Sequence, residues 1–154
     1  MMERIAIFPG SFDPITKGHE NILLRSLPLF DKVIVAIGVN SSKQSFYTLE
    51  QREAWIKQVF KNEPKVSVEG YSGLTIDFCK KKNAQYILRS LRTSSDFEFE
   101  NLIAQNNKVM APEIETVLVF PETAFSAISS TVVRDIVRNG GDASPFVPAS
   151  IKLK

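Results

Sequence analysis

At 154 residues, with 44% apolar and 23% charged side chains, the chain has the composition of a soluble globular protein long enough to bury a real core. A net charge of +2 gives no electrostatic case for nucleic acid or a membrane surface, and the single cysteine, Cys79, excludes an internal disulfide and a cysteine-built zinc site. No apolar run approaches the roughly 20 residues that span a bilayer, and Glu3 and Arg4 precede only a strand-length apolar run. A cytoplasmic protein of one domain, residues 1–154, is therefore expected.

Residues 4–8 form an apolar run of strand length, buried on both faces by expectation. Residues 10–16 are a loop with Gly10 and Pro14 as punctuation. A helix follows over 17–27, with Ile22, Leu23 and Leu27 on one side and Pro28 at its end. Residues 32–39 (KVIVAIGV) are a second continuous apolar strand, followed by a polar loop over 40–45. Thr48-x-x-Gln51 reads as a capping box that opens a helix to about Phe60.

Residues 66–69 predict a short strand, 70–73 a turn, and 74–82 a helix whose end, Lys80-Lys81-Lys82, suits the helix dipole. That lysine run reads as a solvated helix end rather than a binding patch, and Cys79 as packing. Residues 85–88 form a fourth strand that ends on Arg89-Ser90-Leu91-Arg92. Ser95-x-x-Glu98 reads as a second capping box, starting a long helix to about Met110 that Pro112 closes. Residues 115–120 are the fifth strand. Ile128-Ser129-Ser130-Thr131 enters a helix that runs to Arg138 and ends at Gly140-Gly141, and the tail from Ser144 is a short helical turn or an extended cap. Five apolar strands alternating with helices predict an α/β protein built on a doubly wound parallel sheet.

The polar residues are informative by position. Ser11 to His19 follow the first strand, Lys43 the second, Gly73, Leu74 and Thr75 the third, Arg89 and Arg92 the fourth, and residues 125–131 the fifth. All these loops lie at the carboxyl ends of strands and share one edge of the sheet, where open α/β folds bind ligands. A lysine, two arginines, a histidine and a Ser/Thr cluster at a helix start suit an anionic, phosphate-bearing ligand. Taken singly, each has a plainer reading. His19 can bond backbone at a helix start, Arg89 and Arg92 can pair with Glu98 or Glu100, Ser129-Ser130-Thr131 can cap a helix, and Asp13 before Pro14 can form a turn.

Two familiar phosphate motifs are absent: the chain has no G-x-x-x-x-G-K-[ST] and no G-x-G-x-x-G after its first strand. No acidic cluster has metal-ligand spacing, so a divalent ion is expected on nucleotide phosphates rather than in a protein site.

Gly10-Ser11-Phe12-Asp13-Pro14-x-Thr16-x-Gly18-His19 resembles the T/H-x-G-H signature of the nucleotidyltransferase superfamily, and Ile128-Ser129-Ser130-Thr131-x-x-Arg134 resembles its I-S-S-T-x-x-R signature. With Ser42-Lys43, Leu88-Arg89-x-Leu91-Arg92 and Asp96-Phe97-Glu98-Phe99-Glu100 between them, residues 3–148 resemble the bacterial phosphopantetheine adenylyltransferase family. The resemblance implies a Rossmann-like nucleotidyltransferase fold. It also implies transfer of the adenylyl group of ATP to 4′-phosphopantetheine, giving dephospho-CoA and pyrophosphate in coenzyme A biosynthesis. It implies Mg²⁺ carried on the ATP phosphates, a homohexamer, and coenzyme A as a feedback ligand at the pantetheine site.

Carried over residue by residue, the resemblance places Ser11, Phe12, His19, Ser90, Leu91, Arg92, Glu100, Phe125, Ser126, Ala127, Ile128, Ser129, Ser130 and Thr131 at the ATP. It places Ser11, Lys43, Thr75 and Arg89 at the phosphopantetheine, with His19, Lys43 and Arg92 as catalytic groups. Ser11 stands where the family commonly has Thr, and Ser90 where it has Gly. The nucleophile it implies is a phosphate monoester with a second pKa of about 6, already ionised near neutral pH, so no general base is required. Cytidylyltransferases for alcohol phosphates and nicotinate mononucleotide adenylyltransferases share the two end motifs. A nucleotide-binding module without catalysis is the reading from another class.

Overall fold

The computed structural model describes residues 2–153. Strands β1 (Ile5–Gly10), β2 (Lys32–Gly38), β3 (Val66–Tyr71), β4 (Tyr86–Ser90) and β5 (Glu115–Val119) form one parallel sheet in the order β3-β2-β1-β4-β5. Helices α1 (Lys17–Ser26), α2 (Leu49–Val59), α3 (Thr75–Lys81), α4 (Ser94–Met110) and α5 (Ser130–Arg138) alternate with the strands. The chain lays down β1, β2 and β3 in one direction, then returns to the far side of β1 to add β4 and β5. The strand order reverses between β1 and β4, and a crevice opens there at the carboxyl ends.

The pleat explains the two cores. Ala6 and Phe8 of β1, Val33, Val35 and Ile37 of β2 and Leu88 of β4 point to one face, against Ile22 and Leu23 of α1, Ile56 of α2, Val133 of α5, and Val147 and Ile151 of the tail. Ile5, Ile7, Ile34, Ala36 and Ile87 point to the other, against Ile76, Phe78 and Cys79 of α3 and Ala111 and Ile114 beyond α4. Cys79 is fully buried, and burial pushes its thiol up to about 12, so it packs and does not react.

Most element boundaries agree with the sequence reading, and the differences have local causes. β3 runs on through Gly70 and Tyr71, which pair with Ile37 and Gly38. β4 extends through Arg89 and Ser90, which pair with Leu118 and Val119, so Arg89 leaves a rigid strand rather than a loop. The capping box of α4 is Thr93-x-x-Asp96, not Ser95-x-x-Glu98. Asp96 wins because its carboxylate accepts from the amides of both Arg92 (3.0 Å) and Thr93 (3.2 Å). The tail forms a single 3-10 turn, Ser144–Phe146. Within the lysine run, Lys82 pairs with Glu69 at 2.7 Å and Lys80 reaches Glu113 at 4.0 Å. No helix of the described residues is long and apolar enough to cross a membrane.

Candidate active site

A cavity of about 1100 Å³ opens at the crevice between the carboxyl ends of β1 and β4. Its floor is the turn after β1. Gly10 ends the strand where a Cβ would come within 3.1 Å of the Phe12 ring. Phe12 takes a left-handed conformation (φ 47°), costly for a residue with a Cβ. Burial holds it there, with its ring edge-on to Phe8 at 5.4 Å and to His19 at 4.9 Å.

Thr16 caps α1. Its hydroxyl accepts the His19 amide at 3.3 Å, and its own amide donates to His19 Nδ1 at 3.0 Å. An Nδ1 that accepts carries no proton, so the neutral ring holds its hydrogen on Nε2, and His19 lines the cavity. Burial, reinforced by the charges of Arg92 and Arg89, lowers the imidazole from 6.5 to about 4. The site thus holds a neutral Nε2–H donor whose tautomer is set by the helix cap.

Arg89 is held on two sides. Nε donates to both Glu100 oxygens at 2.9 and 3.0 Å, Nη2 to Oε2 at 2.7 Å, and Nη1 to the Pro9 carbonyl at 2.9 Å. One hydrogen on each terminal nitrogen remains for a ligand. Arg92 reaches the Ile128 carbonyl at 2.9 Å and so ties the end of β4 to the loop before α5. Ser129 caps α5 by accepting the Val132 amide at 3.2 Å, Ser130 donates to the Pro14 carbonyl at 2.8 Å, and Arg134 donates to the Asp13 carbonyl at 2.7 Å. The two signature segments are therefore bonded to each other, with the N-terminus of α5 beside that of α1.

Ser11, Phe12, His19, Lys43, Thr75, Arg89, Ser90, Arg92, Glu100, Phe125, Ile128, Ser129, Ser130 and Thr131 all line this cavity. Lys43 is exposed on the loop after β2, and Thr75 bonds Tyr71 across the end of β3 at 2.8 Å. Leu91, Ser126 and Ala127 do not line it: the Leu91 amide continues the sheet to Val119, and the Ser126 hydroxyl donates to Thr123. The sequence reading missed Phe99, Ile103 and Asn107, one face of α4 that forms a cavity wall. Their spacing of four is the helical signal that marks a shared face. It also missed Tyr71 and the supporting roles of Asp13 and Arg52.

Among the described residues no group of three or more His, Cys, Asp or Glu is placed to hold a metal ion. Glu100 and Asp96 at the cavity are taken up by Arg89 and Arg92. The donor set fits an anion.

The cytidylyltransferase-like family model matches residues 7–136. The phosphopantetheine adenylyltransferase of Flavobacterium psychrophilum is 54% identical over 98% of this chain and 99% of its own length. Those of Flavobacterium johnsoniae and Cytophaga hutchinsonii are 52% and 47% identical over 98% and 97% of this chain, covering 99% and 100% of their own lengths. Among solved structures, a bifunctional NMN adenylyltransferase/ADP ribose pyrophosphatase from Francisella tularensis superposes with a TM-score of 0.70 at 21% identity. It covers 95% of this chain, which spans 45% of that protein. At that identity the likeness concerns the fold.

Proposed function

The chain belongs to the phosphopantetheine adenylyltransferase family, within the cytidylyltransferase-like family, and from that premise we propose how its residues move the adenylyl group of ATP to 4′-phosphopantetheine. The products are dephospho-CoA and pyrophosphate, in coenzyme A biosynthesis. The observation that carries the residue-level reading is the single cavity of about 1100 Å³ on which His19, Lys43, Arg89 and Arg92 converge. It lies just above the roughly 300–1,000 Å³ range of single-ligand pockets, which suits two substrates side by side.

The acceptor phosphate attacks the α-phosphorus in line with the leaving pyrophosphate. The barrier lies in bringing two anions together and in the charge that grows on the α-phosphoryl oxygens. Lys43 and the two free N–H groups of Arg89 hold the acceptor phosphate and offset its charge. His19 donates Nε2–H to an α-phosphoryl oxygen. Being neutral at rest, it keeps that donor across the pH range in which the acceptor is ionised. Arg92 and the first amides of α5 at Ser130 and Thr131 take the leaving pyrophosphate, with Ser11 and Phe12 beneath the phosphates and Thr75 beside the pantetheine arm. Glu100 acts through Arg89 rather than on the nucleotide. Mg²⁺ bound to the triphosphate oxygens would neutralise charge on the leaving group, and no residue here is assigned to it.

A homo-oligomer is part of the proposal, and a hexamer is its expected size. It is supported by the side of α4 next to the cavity wall, where Leu102, Val109 and Met110 are 63%, 82% and 48% exposed, apolar side chains that a partner subunit would cover. Coenzyme A, which carries the same pantetheine arm as the acceptor, is the expected feedback ligand of this cavity.

The test is a product assay with ATP, Mg²⁺ and 4′-phosphopantetheine, read by mass spectrometry and pyrophosphate release. Formation of dephospho-CoA and pyrophosphate together is the expected result. Turnover with CTP, or ATP binding without dephospho-CoA, would overturn it.

A further inference from the structure

The loop that carries Lys43 hangs between two anchors. On the β2 side, the Val39 amide donates to the Tyr71 carbonyl at 2.7 Å. On the α2 side, the peptide of Phe46 and Tyr47 is gripped by two buried charged side chains from elsewhere in the fold. The Asp13 carboxylate, 6% exposed, accepts the Phe46 amide at 2.8 Å and the Tyr47 amide at 2.9 Å. The Arg52 guanidinium, 4% exposed, donates Nε to the Tyr47 carbonyl at 3.1 Å and Nη1 to the Ser11 carbonyl at 2.8 Å.

Burying a carboxylate and a guanidinium is expensive, and bonding backbone groups offsets that cost only when the geometry is good. A turn after β1 needs neither group, because Asp before Pro forms turns without a distant partner. Both charges are instead used to join the segment before α2 to the turn that holds Ser11 and leads to His19. We propose that Asp13 and Arg52 are positioning residues that lock the Lys43 loop to the phosphate-binding turn, so that Lys43 meets the acceptor phosphate in register with His19. This inference rests on the assignment of Lys43 to the acceptor. Neither side chain lines the cavity, so both act through Lys43 rather than by touching substrate, with the Ser11 carbonyl as the fixed anchor.

Asp13→Asn keeps the size of the side chain but leaves one carbonyl oxygen for two amides and turns an NH₂ toward one of them. The expected result is a rise of roughly ten-fold in KM for 4′-phosphopantetheine, the scale of a lost charge-assisted hydrogen bond, with KM for ATP changed less than two-fold. In a Lys43→Ala background the same substitution adds nothing, because the residue it positions is gone. Arg52→Lys, which cannot bridge both carbonyls, is run through the same cycle. Trp55, the one tryptophan, packs edge-on to Tyr47 at 4.8 Å. A red shift of its emission with unchanged far-ultraviolet dichroism is expected in both variants.

Equal KM increases for both substrates, additive effects in the Lys43→Ala background, or no KM change would each overturn the lock. So would unfolding of Asp13→Asn together with an Arg52→Lys that leaves the acceptor KM unchanged. A Lys43→Ala variant with unaltered acceptor KM would instead overturn the assignment of Lys43, and the lock with it.

Discussion

The buried carboxylate of Glu100, in the first half of α4, grips the guanidinium of Arg89, at the end of β4, through three hydrogen bonds of 2.7–3.0 Å. The grip is asymmetric: 31% of the Arg89 side chain is open to solvent and 8% of the Glu100 side chain. Removing the cation strands a buried anion, whereas removing the anion leaves a cation that water reaches. Arg89→Ala should therefore destabilise the fold by about 3 kcal/mol, the low end for a broken buried pair. Glu100→Ala should cost about 1–2 kcal/mol. Urea unfolding of the two variants checks the order, and equal losses would contradict it.

His19→Ala removes one donor to the α-phosphoryl oxygen. Turnover should fall by roughly 10²- to 10³-fold, the usual range for one transition-state donor, with ATP affinity little changed. Steady-state kinetics and a direct ATP titration separate the two effects. Turnover at the parent rate would remove His19 from the mechanism.

The imidazole itself can be watched, because His19 is the only histidine. Its ring resonances in untagged protein should stay flat between pH 8 and 6 and move with a midpoint near 4. The shifts should be those of the tautomer protonated on Nε2. The folded ring is depressed relative to an unfolded histidine near 6.5, so the unfolded chain takes up this proton first. Stability is thus unaffected by this group above about pH 7, and declines as pH falls from 6.5 to about 4. A midpoint near 6.5 by NMR titration would contradict both statements.

The exposed face of α4 predicts its own test. Leu102, 63% exposed on the same side of α4 as Val109, should tolerate Leu102→Glu in a monomer and not in an oligomer. Light scattering should show the parent protein as an assembly and the variant as smaller species. Each subunit should keep its helical content, because a surface substitution away from a cap changes folding by about 0.5 kcal/mol or less. An unchanged mass would place the interface elsewhere.

The legible parts of the fold are those whose determinants are local. The continuous apolar runs that became β1 and β2 are legible because parallel strands are covered on both faces. The Thr48 box is legible because a cap is decided within four residues. The start of α4 is ambiguous in sequence because two overlapping boxes satisfy the same pattern, and the fold selects Asp96, which also bonds the Arg92 amide. The family resemblance places Leu91 at the nucleotide. Leu91 follows the end of β4, its amide bonds Val119, and it does not line the cavity.

The sequence alone determined the order of strands and helices, the gathering of Ser11, His19, Lys43, Arg89 and the Ser129-Ser130-Thr131 cluster on one edge, and the two signature segments. The first two follow from short-range periodicity and from the rule that parallel strands share a carboxyl end; the signature segments are legible as a family resemblance. Only the tertiary structure decided which neighbours those groups answer to. Asp13 looks like a turn residue until Phe46 and Tyr47 arrive 33 and 34 positions later. Arg52 looks like one more helix charge until it lies buried across the Ser11 carbonyl. The His19 tautomer follows from the Thr16 cap, and its lowered pKa from burial and from arginines some 70 residues away. Hydrogen-bond partners and burial are set by distance in space, and separation along the chain carries no record of it.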